Sequence, residues 1–310
     1  MAASTACVSS AAALALLGLF STAAGGATII VDPGGGGDYT AVQPAVTAAA
    51  SGDTVLVRPG TYTGASNRDI DFAGKALSVI GEGGAGVTVL DCQNAGRGFS
   101  FHSGEGPSSL VRGFTIYDGR DTSWGGGIQC VGSSPRIEEC VVSYCWSDDG
   151  GGILCYEGAD ASFIDCTIEH CSAAFGGGVF CERSSPSFEG CTFASNGAAA
   201  SGGGFFCHDG SFPVIADCLF QSNHADDGGA MLVYSGLPTV SGCMFTQNHA
   251  NFGGALFFEL PSPTISTCTF VGNTATVRGG TMFMHMNTAV VVEDCTVVES
   301  GAPEGGGLFC

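Results

Sequence analysis

Basic residues are scarce in this chain: nine lysines and arginines stand against 29 acidic residues in 310 positions, a formal net charge of −20. A nucleic-acid surface needs clustered positive charge to neutralise phosphates, so that class of partner is excluded. Beyond the first two dozen residues no uncharged apolar run is long enough for a transmembrane helix. No Cys-x-x-Cys pair and no histidine-containing zinc spacing occurs, so no metal site is expected, and calcium is the one cofactor the acidity leaves open. Charged residues are few overall, 12%, while hydrophobic residues reach 45%. Disorder pairs low hydrophobicity with high charge, so the body of the chain folds.

What the chain has in excess is glycine: 51 residues, about twice the usual share. The glycines are periodic. Gly-Gly pairs or triplets begin at Gly125, Gly150, Gly176, Gly202, Gly228, Gly253, Gly279 and Gly305, at steps of 25 or 26 residues. A second pattern recurs between them, often led by proline: PRIEECVV (135–142), PSFEGCTF (186–193), PVIADCLF (213–220), PTVSGCMF (238–245) and PTISTCTF (263–270). Self-similarity at a fixed short period means stacked units that bury a core only against their neighbours. Each unit lacks a helical pattern and offers three short β-like pieces: after Gly-Gly, after proline, and around Cys-x-Phe. Three short strands per turn without helices predict an all-β fold, a right-handed parallel β-helix. Seven intervals at the parallel-strand spacing give a regular rod of about 34 Å.

The repeated residue types have physical roles in that scheme. Gly-Gly marks a bend where positive φ costs glycine nothing. Asn196, Asn223, Asn248 and Asn273 share a column, where asparagine tolerates the left-handed conformation and stacked amides form a hydrogen-bonded ladder. Phe193, Phe220, Phe245 and Phe270 stack beside them as core. Cys140, Cys166, Cys191, Cys218, Cys243, Cys268 and Cys295 occupy one column; Cys130, Cys155, Cys181, Cys207 and Cys310 occupy another; Cys145 and Cys171 take the asparagine position. Val233, Phe258 and Met284 replace cysteine in the second column, which marks an apolar slot. Stacked rungs also hold Cβ atoms farther apart than the ~3.8 Å a disulfide prefers. Mostly buried thiols are therefore expected, with some disulfides as the alternative for an exported chain.

Residues 8–20, VSSAAALALLGLF, followed by STAAGGA, read as an export signal over residues 1–24 with cleavage near Ala24. Residues 25–115 read as an N-terminal cap with irregular first turns, and 116–310 as the regular coils. Within the cap, Asp38 is expected to N-cap a short helix running to about Ala50 that covers the open end of the solenoid. The final GGGLFC falls mid-repeat, so a further C-terminal region is expected.

The F-x-x-N…G-G-[ALM] units from Phe193 to Met284 resemble the repeats of the polymorphic outer-membrane protein family, about a third of the chain. That resemblance implies a β-helical passenger acting as an adhesin at a bacterial surface, without the family's membrane-inserted barrel. GGDYTAVQPAV (36–46), VLVRPGTYTG (55–64) and LSVIGEGGAGVTVLD (77–91) resemble the first turns of pectin methylesterases and the wider pectin-lyase-like superfamily. The catalytic Gln-Asp and Gly-Arg-Pro-Trp segments of those esterases are missing, so this resemblance implies architecture and carries no active residues.

The densest chemistry lies in YDGRDTSWGGG (117–127) and CWSDDGGG (145–152). In register, Asp121 is expected over Trp146 and Trp124 over Asp149. Asp118, Arg120, Asp121, Asp148 and Asp149 are the catalytic candidates, and Trp124 and Trp146 the ligand-stacking ones, since an indole suits the C–H face of a sugar. A second acidic loop, His224-Ala225-Asp226-Asp227, lies three rungs on and repeats the Asp-Asp-Gly wording. His208, His224 and His249 read as exposed loop histidines. The reading is a secreted or cell-surface structural and binding β-helix of a bacterium, adhesive or glycan-contacting, with polysaccharide or a host or cell-surface glycan as partner. Its rival is a carbohydrate-active lyase, hydrolase or epimerase.

Overall fold

A computed structural model describes residues 26–260, 263–285 and 290–310, so the expected export signal lies outside the described residues. The chain winds into one continuous solenoid of parallel strands. Three sheets run its length, of eleven, ten and nine strands, and every neighbour in a sheet is one turn removed in sequence. Crossovers between parallel strands of one sheet wind right-handed. The first sheet holds the strands after proline, such as Thr239–Ser241; the second the Cys-x-Phe strands, such as Met244–Thr246; the third the strands after Gly-Gly, such as Leu256–Glu259. At the parallel spacing, ten steps from the first rung to the last span about 48 Å. First-sheet strands begin at Thr28, Thr54, Ser78 and Leu110, steps of 26, 24 and 32 residues. From Leu110 onward every step is 25 to 27.

The cap forms where expected, with different chemistry at its start. The helix spans Val42–Ala48 between the paired strands Thr28–Val31 and Thr54–Val57, and buries Val42, Ala45 and Val46 over the first rung. Asp38 does not cap it. Its Oδ2 accepts the Ile30 N–H at 2.8 Å, while the first helical N–H, that of Val42, is taken by Asn67 Oδ1 from the next turn at 2.8 Å.

Inside the coil, like stacks on like. Phe193, Phe220, Phe245 and Phe270 lie parallel, with ring centroids 4.4, 4.8 and 4.8 Å apart. The asparagine ladder is complete: Asn223 donates to the Phe193 carbonyl at 2.8 Å and to Asn248 Oδ1 at 3.0 Å, and accepts from the Asn196 backbone and amide. The left-handed corner, however, falls one residue earlier, at Ser195, Ser222, Gln247 and Gly272, because the amide must point inward to reach the carbonyl below. Gly-Gly also has two jobs. The first glycine carries φ near +65°, as at Gly176 and Gly202. The second passes so close to the next rung that a Cβ on Gly203 would meet carbonyl oxygens of Gly229 and His224 at 2.4 Å.

The fifteen cysteines among the described residues are unpaired. Column thiols donate down the stack to carbonyls, Cys218 to Phe188 and Cys243 to Ile215, each at 3.6 Å. Burial disfavours the thiolate, holding Cys140 up at about 12 and Cys181 and Cys207 well above the usual range.

Two outcomes follow. Asn223→Ala removes the amide of a fully buried ladder position, leaving its Phe193, Asn196 and Asn248 partners short of a hydrogen bond, and should lower stability by about 2–3 kcal/mol in denaturant unfolding. Thiol titration of the native protein should label Cys310 and, more slowly, Cys295 among the described cysteines, with the rest reacting only after unfolding.

Candidate binding groove

From Ile153–Tyr156 onward, strands of the third sheet are apolar on both faces. Inward residues such as Ile153, Val179, Phe205 and Met231 join the main core. The outward residues form a second, separate apolar column: Leu154, Phe180, Phe206, Leu232, Phe257 and Phe283. They point away from the coil yet are at most 7% exposed, because the chain bends sharply at the glycines and a neighbouring wall folds over them. The result is a groove running along the rod, floored by this column.

Its first wall is the ladder of residues just before Gly-Gly: Asp149, Phe175, Ser201, Asp227, Phe252 and Arg278, one per rung. Its second wall is the last outward position of each third-sheet strand: Tyr156, Glu182 and His208, then Tyr234, Glu259 and His285. Trp124 closes the N-terminal end, its ring tilted against Tyr156 with centroids 5.3 Å apart. One part of it is a cavity of about 380 Å³ bounded by Asp149, Phe175, His208, Asp227 and Glu259. Phe175 (39% exposed) and Tyr234 (36%) reach solvent there, Phe175 stacked on Phe206 and Tyr234 on His208.

The groove is acidic and partly dry. Burial raises the Asp149 carboxyl, helped by the charges of Asp148 and Glu182; burial raises Asp227 as well, helped by Asp226 and Glu259. His208 Nδ1 lies 3.4 Å from Glu182 Oε2, off hydrogen-bond alignment, and is one of two buried side-chain polar atoms among the described residues without such a bond. An apolar floor between rims of carboxylate, imidazole and phenol can hold a flat C–H surface and hydrogen-bond the hydroxyls at its edges.

The residues singled out in the sequence divide among three places. Trp124 does pair with Asp149, and both belong to the groove. Trp146 pairs with Arg120 and not with Asp121; the guanidinium lies 4.6 Å above the indole centroid. Arg120 and Asp121 line a polar hollow of about 660 Å³ together with Arg97, His102 and Asp71. Arg97 clamps Asp121 there at 2.8 Å. Asp118 stands apart from both sites, its carboxyl raised by burial and by Asp91, and Asp148 is exposed. His208 is a strand residue at the end of Phe205–His208, lining the groove rather than an exposed loop, whereas His224 and His249 are exposed. The groove floor escaped the sequence reading. Its signal was present in ILCY, VFCE, FFCH and LFFE, where apolar residues fail to alternate.

The described residues bring no three His, Cys, Asp or Glu side chains into a cluster that would hold a metal ion. No helix among them is long and apolar enough to cross a membrane.

The family model described as right handed beta helix region matches residues 53–236 and 151–310. The chain belongs to that family. Among solved structures, this β-helix is similar to an open-reading-frame product of Geobacillus virus E2, at 13% identity and a TM-score of 0.53 over 84% of this chain. The β-helix spans 56% of that viral protein's length. It is also similar to a pectin methylesterase from carrot (16% identity, TM-score 0.48, 92% of this chain and 88% of that one). A pectate lyase is a third (15%, 0.43, 81% and 72%). At these identities the likeness shows the fold alone. No curated protein matches the β-helix.

Removing the Asp149 charge should stabilise the protein. A carboxyl that keeps its proton to higher pH when folded makes its ionised form a cost to the folded state at neutral pH. Below about pH 3 the group is protonated in both states and the cost is gone. Asp149→Asn should therefore raise the Tm at neutral pH and leave it unchanged near pH 3, by thermal melts at both.

Proposed function

We propose that this chain is an exported, surface-displayed β-helix that binds an uncharged polysaccharide in its aromatic-floored groove. The groove itself carries the reading: a straight apolar floor flanked by exposed rings and hydrogen-bonding rims. The net charge of −20 and the carboxylates on both walls disfavour a polyuronate. The apolar segment at 8–20 supports export, and the F-x-x-N…G-G units from Phe193 to Met284 support display at a bacterial surface in an adhesive role.

One observation favours a second reading. Burial and the Glu182 charge both push the Asp149 carboxyl up, and a raised carboxyl near a second carboxylate is the pairing a glycoside hydrolase uses for acid and base. Under that reading the groove cleaves what it binds.

Purified protein on an array of neutral and uronic-acid polysaccharides separates these readings. Retention of neutral linear glycans is expected, without release of reducing ends. Phe175→Ala and Tyr234→Ala should each weaken binding about three- to tenfold, the loss of one ring contact. Retention of uronates alone, or affinity indifferent to both substitutions, would overturn the binding reading; reducing-end release abolished by Asp149→Asn would establish the hydrolytic one.

A further inference from the structure

The groove repeats itself every three rungs. The first three rungs carry Asp149 with Tyr156, Phe175 with Glu182, and Ser201 with His208. The next three carry Asp227 with Tyr234, Phe252 with Glu259, and Arg278 with His285. The chemistry returns after 77 or 78 residues: Asp149 to Asp227 is 78, His208 to His285 is 77. The floor keeps the same period, with Leu154, Phe180 and Phe206 followed by Leu232, Phe257 and Phe283.

The backbone repeats with the side chains, which makes the match more than a coincidence of residue types. The strands Ser172–Phe175 and Gly197–Ser201 form a two-stranded sheet on the first wall, and His249–Phe252 with Thr274–Arg278 form its counterpart. Each pair shifts register at the same place, between Ala173 and Phe175 and between Ala250 and Phe252. The Asp148 carbonyl accepts from Ala174 and Phe175 at 2.9 and 3.2 Å; the Asp226 carbonyl accepts from Asn251 and Phe252 at 2.8 and 3.2 Å. Imidazole and carboxylate stand 3.4 Å apart at His208 and Glu182, and 3.6 Å apart at His285 and Glu259. The copies differ at one wall position, where Ser201 is replaced by Arg278, which pairs with Glu304 at 2.6 Å.

From this geometry we infer that the groove holds two equivalent subsites, about 14 Å apart at the parallel rung spacing, which grip one linear uncharged polysaccharide at two points along its length. The inference rests on the glycan-binding reading above. A single extended ligand is favoured over two small ones because the two cavities share Asp227 and Glu259 and lie over one continuous floor. An uncharged chain is favoured because each copy sets an aspartate and a glutamate against one imidazole; hydroxyls donate to those carboxylates, and C–H faces lie on Phe175 and Phe252.

Calorimetric titration of the full chain with β-1,4-linked gluco-, manno- and xylo-oligosaccharides of increasing length tests it. Short oligomers should bind two per chain. Oligomers long enough to span both subsites should bind one per chain, about 10²-fold more tightly, as an effective-concentration gain. Asp149→Asn or Asp227→Asn should each abolish that gain to a similar extent, with Phe175→Ala and Phe252→Ala as a second pair if either isosteric change lowers the Tm. Binding of one short oligomer per chain, affinity that climbs without a step, or loss confined to one copy would overturn the paired subsites while leaving glycan binding intact. Absence of binding at every length would overturn the glycan reading, and this inference with it.

Discussion

Everything in this molecule depends on the backbone hydrogen bonding of each turn to the next. A turn pairs almost all its strand N–H and C=O groups with the turns above and below, so the rungs stand at the fixed spacing of parallel strands. Side chains at one register position are then forced into a vertical row, and only residue types that tolerate their own kind at that distance can occupy it. Phenylalanine rings stack flat at 4.4 to 4.8 Å. Asparagine amides chain together, and thiols hand their hydrogens to the carbonyls of the rung below. The same constraint explains the second glycine of each pair, which has no room for a Cβ against the next rung's carbonyl.

That rule acts outside the coil as well as within it. Once the third sheet repeats, its outward residues stack too, and Phe180, Phe206 and Phe257 become a continuous floor and not scattered surface hydrophobics. A bend at positive φ brings the preceding residues over this floor, so a groove is a by-product of the corner that closes each coil. Charged residues placed on its walls are partly desolvated. Asp149 and Asp227 carry that cost in their raised carboxyls, and residues held at a cost to stability are characteristic of sites kept for function.

Periodicity was readable because it is a property of the one-dimensional chain. The Gly-Gly step gave the turn length, and the columns of Cys140 to Cys295 and Asn196 to Asn273 gave the register. Pairing between Trp124 and Asp149 followed from the same count. The count failed by one residue where the loop lengths differ: five residues separate Gly119 from Gly125 but only four separate Cys145 from Gly150, so Arg120 and not Asp121 meets Trp146. It failed at Asp38 for another reason. The helix takes its capping acceptor from Asn67, 25 residues away, and a cap supplied across turns leaves no local spacing to recognise.

The sequence by itself determined the repeat, the strand inventory, the stacking columns and the acidic, cysteine-rich character, since each follows from composition and period. Only the tertiary structure decided which outward residues face solvent and which face a wall, because that depends on the angle between strands at the glycine corner and not on residue type. It also decided the grouping of the candidate residues, drawing Asp149 and Trp124 to the groove, Arg120 and Asp121 to the polar hollow with Arg97, and leaving Asp118 alone. Neighbours in a coil are a full turn apart in sequence, so proximity along the axis is set by winding, and winding is a three-dimensional fact.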